Sequence, residues 1–139
     1  MDSSFVICES LDKDWNWNIS DSECRTLKAA TSGEVRAELV LEKEHVNSRG
    51  SLHGAVSAAL VDLLGGLSIA STGAVKTGAS VDIHITYQAT ANVGECMEMT
   101  ATCERLGRNL GFTRIEVAKQ KNGQRQIVAA GTHTKFVGS

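Results

Sequence analysis

Residues 52–72, LHGAVSAALVDLLGGLSIAST, determine the fold of this 139-residue chain. The stretch is nearly continuous in small and apolar side chains, and as a helix it would be about 28–30 Å long, barely enough to cross a bilayer. Asp62 lies near its middle, where a charge in a membrane costs about 3 kcal/mol, and no basic flank orients the segment. We therefore predict a helix buried in a protein core over residues 54–71, ended by Thr72-Gly73.

The segments on either side of this helix alternate between apolar and polar residues, which is the period of a β-strand. One such run precedes the helix and four follow it, the last two joined by the hairpin signal Asn122-Gly123. Alternation in the first run after the helix places Ser80 on the polar face, opposite Val81 and Ile83. The predicted strands cover residues 33–41, 80–87, 95–105, 111–120 and 127–136.

The order of these elements predicts an α+β fold. A single helix that is apolar all round needs a sheet curved around it, which leaves no place for a doubly wound α/β sheet. Because the gaps between the last four strands are short, we expect these strands to form an antiparallel meander. Gly65 and Gly66 interrupt the helix just after Asp62 and are expected to allow close packing against a partner.

Composition supports one globular domain. The chain is 42% hydrophobic and 22% charged, which is enough apolar material for a core. Its formal net charge of -2 shows no sign of the basic surface of a nucleic-acid-binding protein. We predict a single domain over residues 33–139, preceded by an N-terminal segment over residues 1–32. Within that segment, the capping pattern of Ser20 and Glu23 predicts a short helix over residues 20–30.

The cysteines indicate a reducing compartment. Cys96 and Cys103 lie in one predicted strand about 23 Å apart, which is beyond disulfide reach. Neither these two nor Cys8 and Cys24 match a zinc or redox spacing, so we predict free thiols and no metal centre. The first residues do not match a signal peptide or a transit peptide. We therefore expect an intracellular protein, in cytoplasm or mitochondrion, without integral membrane association.

Asp62 is the first candidate for chemistry. A carboxylate inside an apolar helix is costly unless it is paired or functional, which makes this residue a candidate general base. The alternative is that its side of the helix meets solvent or a partner subunit.

The second candidate is the sequence NSRGSLHG at residues 47–54, which ends where the helix begins. A helix N-terminus offers unpaired N–H groups and a positive dipole end, which can hold a developing oxyanion. The alternative is an ordinary glycine-rich turn capped by His53. Asp62 lies about 12–13 Å further along the helix than this turn. One subunit cannot easily bring both to the same atom, whereas two subunits related by symmetry can.

The third candidate is the sequence RLGRN at residues 105–109, in which two arginines flank a glycine. Guanidinium groups in such a turn bind phosphate well. The alternative is a solvated hairpin tip.

Together, these three features resemble the hotdog-fold acyl-CoA thioesterases, the family of thioesterase superfamily member 2 and the PaaI-type proteins. The resemblance covers about two-thirds of the chain and leaves residues 1–32 unmatched. The matching strings are HVNSRGSLHGAVSAALVD at 45–62, GASVDIHITY at 78–87, GECMEMTATCERLGRNLGFT at 94–113 and AAGTHTKFVG at 129–138.

This resemblance implies a long central helix wrapped by a curved antiparallel sheet, in chains that pair into homodimers and usually homotetramers. It implies hydrolysis of fatty acyl-CoA, of medium or long chain, to free acid and CoA, with no cofactor beyond the CoA of the substrate. Non-catalytic binding of acyl-CoA or lipid, hydrolysis of aromatic acyl-CoA and a hydratase activity are the alternatives.

The resemblance also implies residue roles. Gly54 would polarise the thioester carbonyl through its N–H, and His53 would support that turn. Asp62 of the facing subunit would act as general base or nucleophile, with Asn47 and Ser80 positioning the attacking water or the carboxylate. The implied CoA contacts are Ser80, Asp82, Tyr87, Arg105, Leu106, Gly107, Arg108, Asn109 and Leu110.

Three residues depart from the family pattern. Ala55 replaces the second glycine after the histidine and adds a methyl group near the acyl path. Thr90 stands where relatives often have proline, which we expect to loosen a turn. Phe136 stands where a relative has a polar CoA contact, so that contact is not carried over.

Overall fold

The computed structural model describes residues 27–74 and 76–138 of the chain. A short 3₁₀ turn, Lys43–His45, precedes the helix. The elements are β1 (Leu27–Thr31), β2 (Glu34–Val40), α1 (Gly54–Ala70), β3 (Ala79–Tyr87), β4 (Cys96–Leu106), β5 (Leu110–Lys121) and β6 (Gln124–Phe136).

The six strands form one antiparallel sheet in the order β1-β2-β4-β5-β6-β3. Helix α1 contacts every strand from β2 to β6, so the sheet wraps around it. The predicted α+β class and hotdog fold are confirmed. The core lies between helix and sheet and includes Val35, Val61, Leu64, Met97, Ile115 and Val117.

The predicted meander is correct for β4, β5 and β6 but wrong for β3, which lies at the sheet edge and pairs with β6. The connection over residues 88–95 therefore crosses the ends of β6 and β5 to reach β4. Three strand spacings amount to about 14 Å. Eight extended residues reach up to about 26–29 Å, so a short gap in sequence does not require neighbouring strands.

Strand β1 replaces part of a predicted helix. It forms a hairpin with β2 in which Thr31 pairs with Glu34, and Gly33 takes a φ of 86° in the turn. The predicted short helix is therefore wrong for residues 27–30, and its remainder lies outside the described residues. The division of the chain at residue 32 stays a prediction, although β1 hydrogen-bonds to β2 across it.

A β-bulge in β3 turns Ser80 towards the helix. Ser80 pairs with Lys135 and Ile83 pairs with His133, so Val81 is an extra residue between them. Lys135 and His133 are two residues apart on β6 and both are buried, so Ser80 and Ile83 share the face that looks towards α1. The expectation that Ser80 lies opposite Ile83 is wrong, because strict alternation does not allow for the extra residue.

The two glycines after Asp62 bring α1 close to its own sheet. A Cβ on Gly65 would lie 2.8 Å from His133 Nδ1, and one on Gly66 would lie 3.4 Å from Lys135 Nζ. The predicted close packing is therefore present, but against β6 of the same chain. The absence of these two side chains leaves room for two buried polar side chains beneath the helix.

The described part of the chain contains two free thiols and no membrane-spanning helix. Cys96 and Cys103 both lie in β4 and are unbridged, as predicted. Cys8 and Cys24 lie outside the described residues. None of the helices within residues 27–74 and 76–138 has the length and apolar character needed to cross a membrane.

Candidate active site

The N-terminus of α1 presents an N–H group with no internal acceptor. His53 is the N-cap, and its Nδ1 accepts a hydrogen bond from the Ala55 N–H at 3.1 Å. Gly54 is the first residue of the helix, and no residue in the described part of the chain accepts from its N–H. This donor lies at the positive end of the helix dipole and is available to an outside acceptor.

Asn47 shapes the turn before the helix. Its Oδ1 accepts hydrogen bonds from the Arg49 N–H at 2.9 Å and the Ser51 N–H at 3.2 Å. The backbone N–H of Asn47 donates to the Ser51 carbonyl at 2.8 Å. Because the side-chain oxygen is engaged within the turn, the two amide N–H groups are the part of Asn47 that can meet a ligand.

Tyr87 joins this turn from the end of β3. Its hydroxyl donates to the Gly54 carbonyl at 3.2 Å, and its ring packs over the Gly54 backbone. The residue is nevertheless 58% exposed, so one side of the ring remains open. The structure therefore gathers Asn47, His53, Gly54 and Tyr87 at one end of the helix.

A second group of polar side chains lies beneath the middle of α1. Ser80 Oγ and His133 Nε2 are 2.8 Å apart and share a hydrogen bond whose direction depends on the imidazole tautomer. Asp62 Oδ1 lies 3.7 Å from the same nitrogen. Among the described residues, neither Asp62 Oδ1 nor His133 Nδ1 has a hydrogen-bond partner, although both atoms are buried. Buried polar atoms are rarely left unpartnered, so this group is a candidate functional site.

The electrostatics of this group are set by burial. Burial lowers the pKa of His133 below its ordinary value of 6.5, although the Asp62 carboxylate opposes this shift. Burial also lowers the pKa of Lys135 below 10.5, again opposed by Asp62. The imidazole is therefore neutral at pH 7, and the lysine places a basic group near the carboxylate.

Sequence interpretation assigned no role to His133 and Lys135. The two residues are adjacent inward positions of β6, at 0% and 1% exposure. No clear sequence signal pointed to them, because both faces of the last predicted strand carry apolar residues, Ile127 and Ala129 on theirs and Val128 and Phe136 on the other. A histidine and a lysine on the core side of a strand are costly unless they have partners, as Ser80 and Asp62 are here.

The two groups do not meet within one chain, because Gly54 of the first and Asp62 of the second are eight residues apart on one helix, about 12 Å along its axis. The other predicted site residues lie outside both groups. Asp82 pairs with Thr134 and lies on the outer face of the sheet, opposite Ser80. The residues from Arg105 to Leu110 form the exposed β4–β5 hairpin tip, closed by a bond from the Gly107 N–H to the Leu110 carbonyl at 2.8 Å.

A family model described as "Thioesterase superfamily" matches residues 49–126, more than half of the chain. The chain belongs to the thioesterase superfamily. The matched span contains α1, the Asp62 carboxylate and the hairpin tip. As a member of this superfamily, the protein is a thioester hydrolase, as the resemblance implied.

Curated relatives in the thioesterase superfamily extend over most of the chain. Acyl-coenzyme A thioesterase 13 from Homo sapiens is 37% identical over 114 residues, which cover 82% of this chain and 80% of the relative. A putative esterase from Schizosaccharomyces pombe is 40% identical over 110 residues, which cover 78% of this chain and 66% of the relative.

Solved thioesterase structures share the fold. Zebra fish thioesterase superfamily member 2 superposes with a TM-score of 0.82 at 30% identity, over 98% of this chain and 96% of that one. A Streptococcus mutans protein bound to acetyl CoA superposes with a TM-score of 0.73 at 24% identity, over 79% of this chain and 85% of that one. At that identity, the second similarity shows the fold alone.

Proposed function

We propose that this thioesterase hydrolyses acyl-CoA, with water adding to the thioester carbonyl and the products leaving as free acid and CoA. The observation that carries the proposal is the Gly54 N–H, a donor at the start of the central helix from which none of the described residues accepts. It is supported by the relationship to acyl-coenzyme A thioesterase 13, whose name states the same reaction.

Two donors at the helix N-terminus would hold the thioester oxygen. As water adds, the carbonyl oxygen gains negative charge, and the Gly54 N–H lies in the field of the helix dipole. The amide of Asn47 supplies a second donor, because its Oδ1 is already bound within the turn. His53 supports the arrangement as the helix cap.

The carboxylate of Asp62 would act as general base towards water, or as nucleophile towards the carbonyl carbon. Its Oδ1 is buried beside neutral His133, but the side chain as a whole is 32% exposed, so the other carboxylate oxygen can reach a water or the thioester. Ser80, bonded to the same imidazole, would position the water or the carboxylate. Lys135 places a basic group near this carboxylate.

The complete site would be shared between two subunits. The oxyanion turn and Asp62 are too far apart in one chain. One edge of β3 pairs with no strand in the described part of the chain, and this strand carries exposed apolar residues such as Val81, 55% exposed, and Ile83, 39% exposed. An open edge of this kind invites pairing with another strand. We infer that β3 pairs with β3 of a second copy in a homodimer, and that dimers pair further into homotetramers.

Complementation tests the shared site. Asp62→Asn and Gly54→Pro each disable a different half of the site, so each variant alone is expected to be inactive. In co-expressed chains, heterodimers hold one site with both defects and one with neither, which gives about a quarter of wild-type activity. The control is each variant co-expressed with itself. Absence of restored activity in isolated heterodimers would show that each subunit carries its own complete site.

The hairpin tip would bind the phosphates of CoA. Arg105 and Arg108 are both exposed there. Guanidinium groups are well suited to phosphate oxygens. By the family resemblance, Leu106, Gly107, Asn109 and Leu110 of the same tip, with Ser80, Asp82 and Tyr87, complete the proposed CoA contacts.

A substrate panel tests the proposed reaction. Release of CoA thiol is measured by thiol capture for acyl-CoA of graded chain length, for aromatic acyl-CoA and for an enoyl-CoA. We expect release from fatty acyl-CoA, with kcat/KM highest for medium or long chains. A higher kcat/KM for aromatic acyl-CoA would show that the substrates are aromatic rather than fatty acyl-CoA, with the same thioester hydrolysis. Tight CoA binding without thiol release would instead indicate a binding protein.

The pH dependence of stability tests the neutral state of His133. Its pKa lies below 6.5 in the folded protein, so its contribution to stability is complete above pH 6.5 and is lost as the pH falls through the folded value. The charged groups whose fields act on it are Asp62 from α1 and Lys135 from β6, and more weakly Asp82 from the outer face of β3. We expect His133→Gln to weaken the fall in melting temperature between about pH 6.5 and pH 5. An unchanged pH dependence would contradict the assigned role of this imidazole.

A further inference from the structure

The connection over residues 88–95 joins β3 to β4 and also contacts the turn before α1. It leaves β3 at the sheet edge and crosses β6 and β5 before entering β4. Near its start, the N–H groups of Gln88 and Ala89 donate to the Val128 carbonyl at 2.8 and 3.2 Å. The rest of the connection passes over the end of β5, and its last residues bond to Leu41, whose carbonyl accepts from the Gly94 N–H at 2.8 Å and whose N–H donates to the Glu95 carbonyl at 2.9 Å.

Lys119 of β5 holds this second part. Its Nζ donates to the Thr90 carbonyl at 2.7 Å and to the two carboxylate oxygens of Glu95 at 3.2 and 3.3 Å. Glu95 in turn accepts from the Asn92 N–H at 2.6 Å. The lysine is only 8% exposed, and a buried ammonium group is costly without such partners. One side chain therefore bonds to both ends of the segment from residue 90 to residue 95, in addition to the backbone bonds of Gly94 and Glu95 with Leu41.

The same segment holds the oxyanion turn. The Ala91 carbonyl accepts from the Leu52 N–H at 2.7 Å, and Asn92 forms an antiparallel bridge with Ser51. The Ser51 carbonyl accepts from the N–H of Asn47. Leu52 is two residues before Gly54, so a displacement of the 90–95 segment would move the two donors proposed to bind the thioester oxygen.

We infer that Lys119 is a positioning residue for catalysis, which orients the turn over residues 47–54 by clamping the segment over residues 90–95. The inference rests on the proposed function, because it concerns the donors assigned there. Lys119 itself does not reach the turn, and it acts only through the backbone of the clamped segment. A misplacement of about 1 Å far from the chemistry can lower a rate about 100-fold, so a clamp of this kind matters even at a distance.

The test compares Lys119→Met with a matched change on the outer face of the sheet. Methionine keeps the length and apolar character of the side chain and removes the three donors. The control, Arg125→Met, breaks the exposed ion pair between Arg125 and Glu116, whose atoms are 2.8 Å apart. This pair belongs neither to the turn over residues 47–54 nor to the segment over residues 90–95. We expect Lys119→Met to lower kcat about tenfold with KM nearly unchanged, while the control keeps the wild-type kcat.

Two further measurements separate positioning from general loss of structure. Hydrogen–deuterium exchange of peptides covering residues 46–54 is expected to speed up in Lys119→Met and not in Arg125→Met. The number of CoA molecules bound per chain should stay at the wild-type value, which shows that the lowered kcat is not due to an unfolded fraction. Lys119→Arg, which retains charge and donors, is expected to recover much of kcat.

Each outcome has a defined meaning. Wild-type kcat in a folded Lys119→Met protein would overturn the inference, and so would a lowered kcat without faster exchange at residues 46–54. If Lys119→Met does not fold, Glu95→Gln tests the same clamp, with a smaller fall in kcat and faster exchange expected. If the wild-type protein releases no thiol, the proposed function fails, and unchanged exchange in Lys119→Met would separately overturn the clamp.

Discussion

Asp62→Asn is expected to abolish most turnover of acyl-CoA while leaving the fold and CoA binding intact. Loss of a general base lowers rates by roughly 10²–10⁴-fold, and loss of a nucleophile has an effect at least as large. Asparagine has nearly the same shape, and Asp62 Oδ1 has no hydrogen-bond partner among the described residues, so no internal bond is broken. The arginines at the hairpin tip are unaffected, so CoA should still bind.

The measurement is kcat by thiol capture together with the dissociation constant for CoA by calorimetry. A matched control is Glu116→Gln, which neutralises a carboxylate on the outer face of the sheet that pairs with Arg125. The control is expected to keep the wild-type kcat. Near wild-type turnover of a long-chain acyl-CoA by Asp62→Asn would exclude this residue as base or nucleophile.

Gly54→Pro is expected to lower kcat about 10²–10³-fold, the usual effect of removing one oxyanion donor. Proline has no N–H, and it is well tolerated at the first position of a helix, which Gly54 occupies. The preceding residue, His53, already has the extended backbone that a following proline requires, with φ of -68° and ψ of 131°. The substitution therefore removes the donor without disturbing the start of the helix.

Gly54→Ala is the matched control for this change. It adds a side-chain carbon at the same place and keeps the N–H. A Cβ at this position would lie 3.6 Å from the Tyr87 ring, which is an ordinary contact. We expect Gly54→Ala to retain most of kcat. If kcat falls equally in both variants, the added carbon rather than the missing N–H is responsible, and the oxyanion role of Gly54 is wrong.

Local sequence signals predicted the helix and the hairpin correctly. The change from polar residues to a long apolar run placed the start of the helix at Gly54, and the Asn122-Gly123 turn was recognised from residues that accept positive φ, observed at 53° and 76°. Each of these features depends on a few consecutive residues, so a single sequence contains the necessary information.

Features that depend on distant residues could not be predicted in this way. The position of β3 beside β6 is decided by pairing across more than forty residues of chain, and the length of the connecting segment does not reveal it. The partnership of His133 with Ser80 and Asp62 follows from that pairing and from the bulge at Val81. The family resemblance supplied roles for Asp62 and Ser80 but gave no indication of the histidine between them.

The bulge at Val81 makes the site depend on strand register as well as on residue identity. Ser80 faces the helix only because Val81 is accommodated as an extra residue between it and the regular part of β3. If Val81 took a regular place in the ladder, every side chain of the site would be preserved, but the serine hydroxyl would rotate to the outer surface of the sheet, away from the imidazole. Deletion of Val81 would instead leave Ser80 two residues from Ile83 in a regular strand, and therefore still on the inner face. In the divergence of related chains, loss of this one codon would therefore keep the serine at the imidazole, whereas gain of one residue without a second bulge would turn it away.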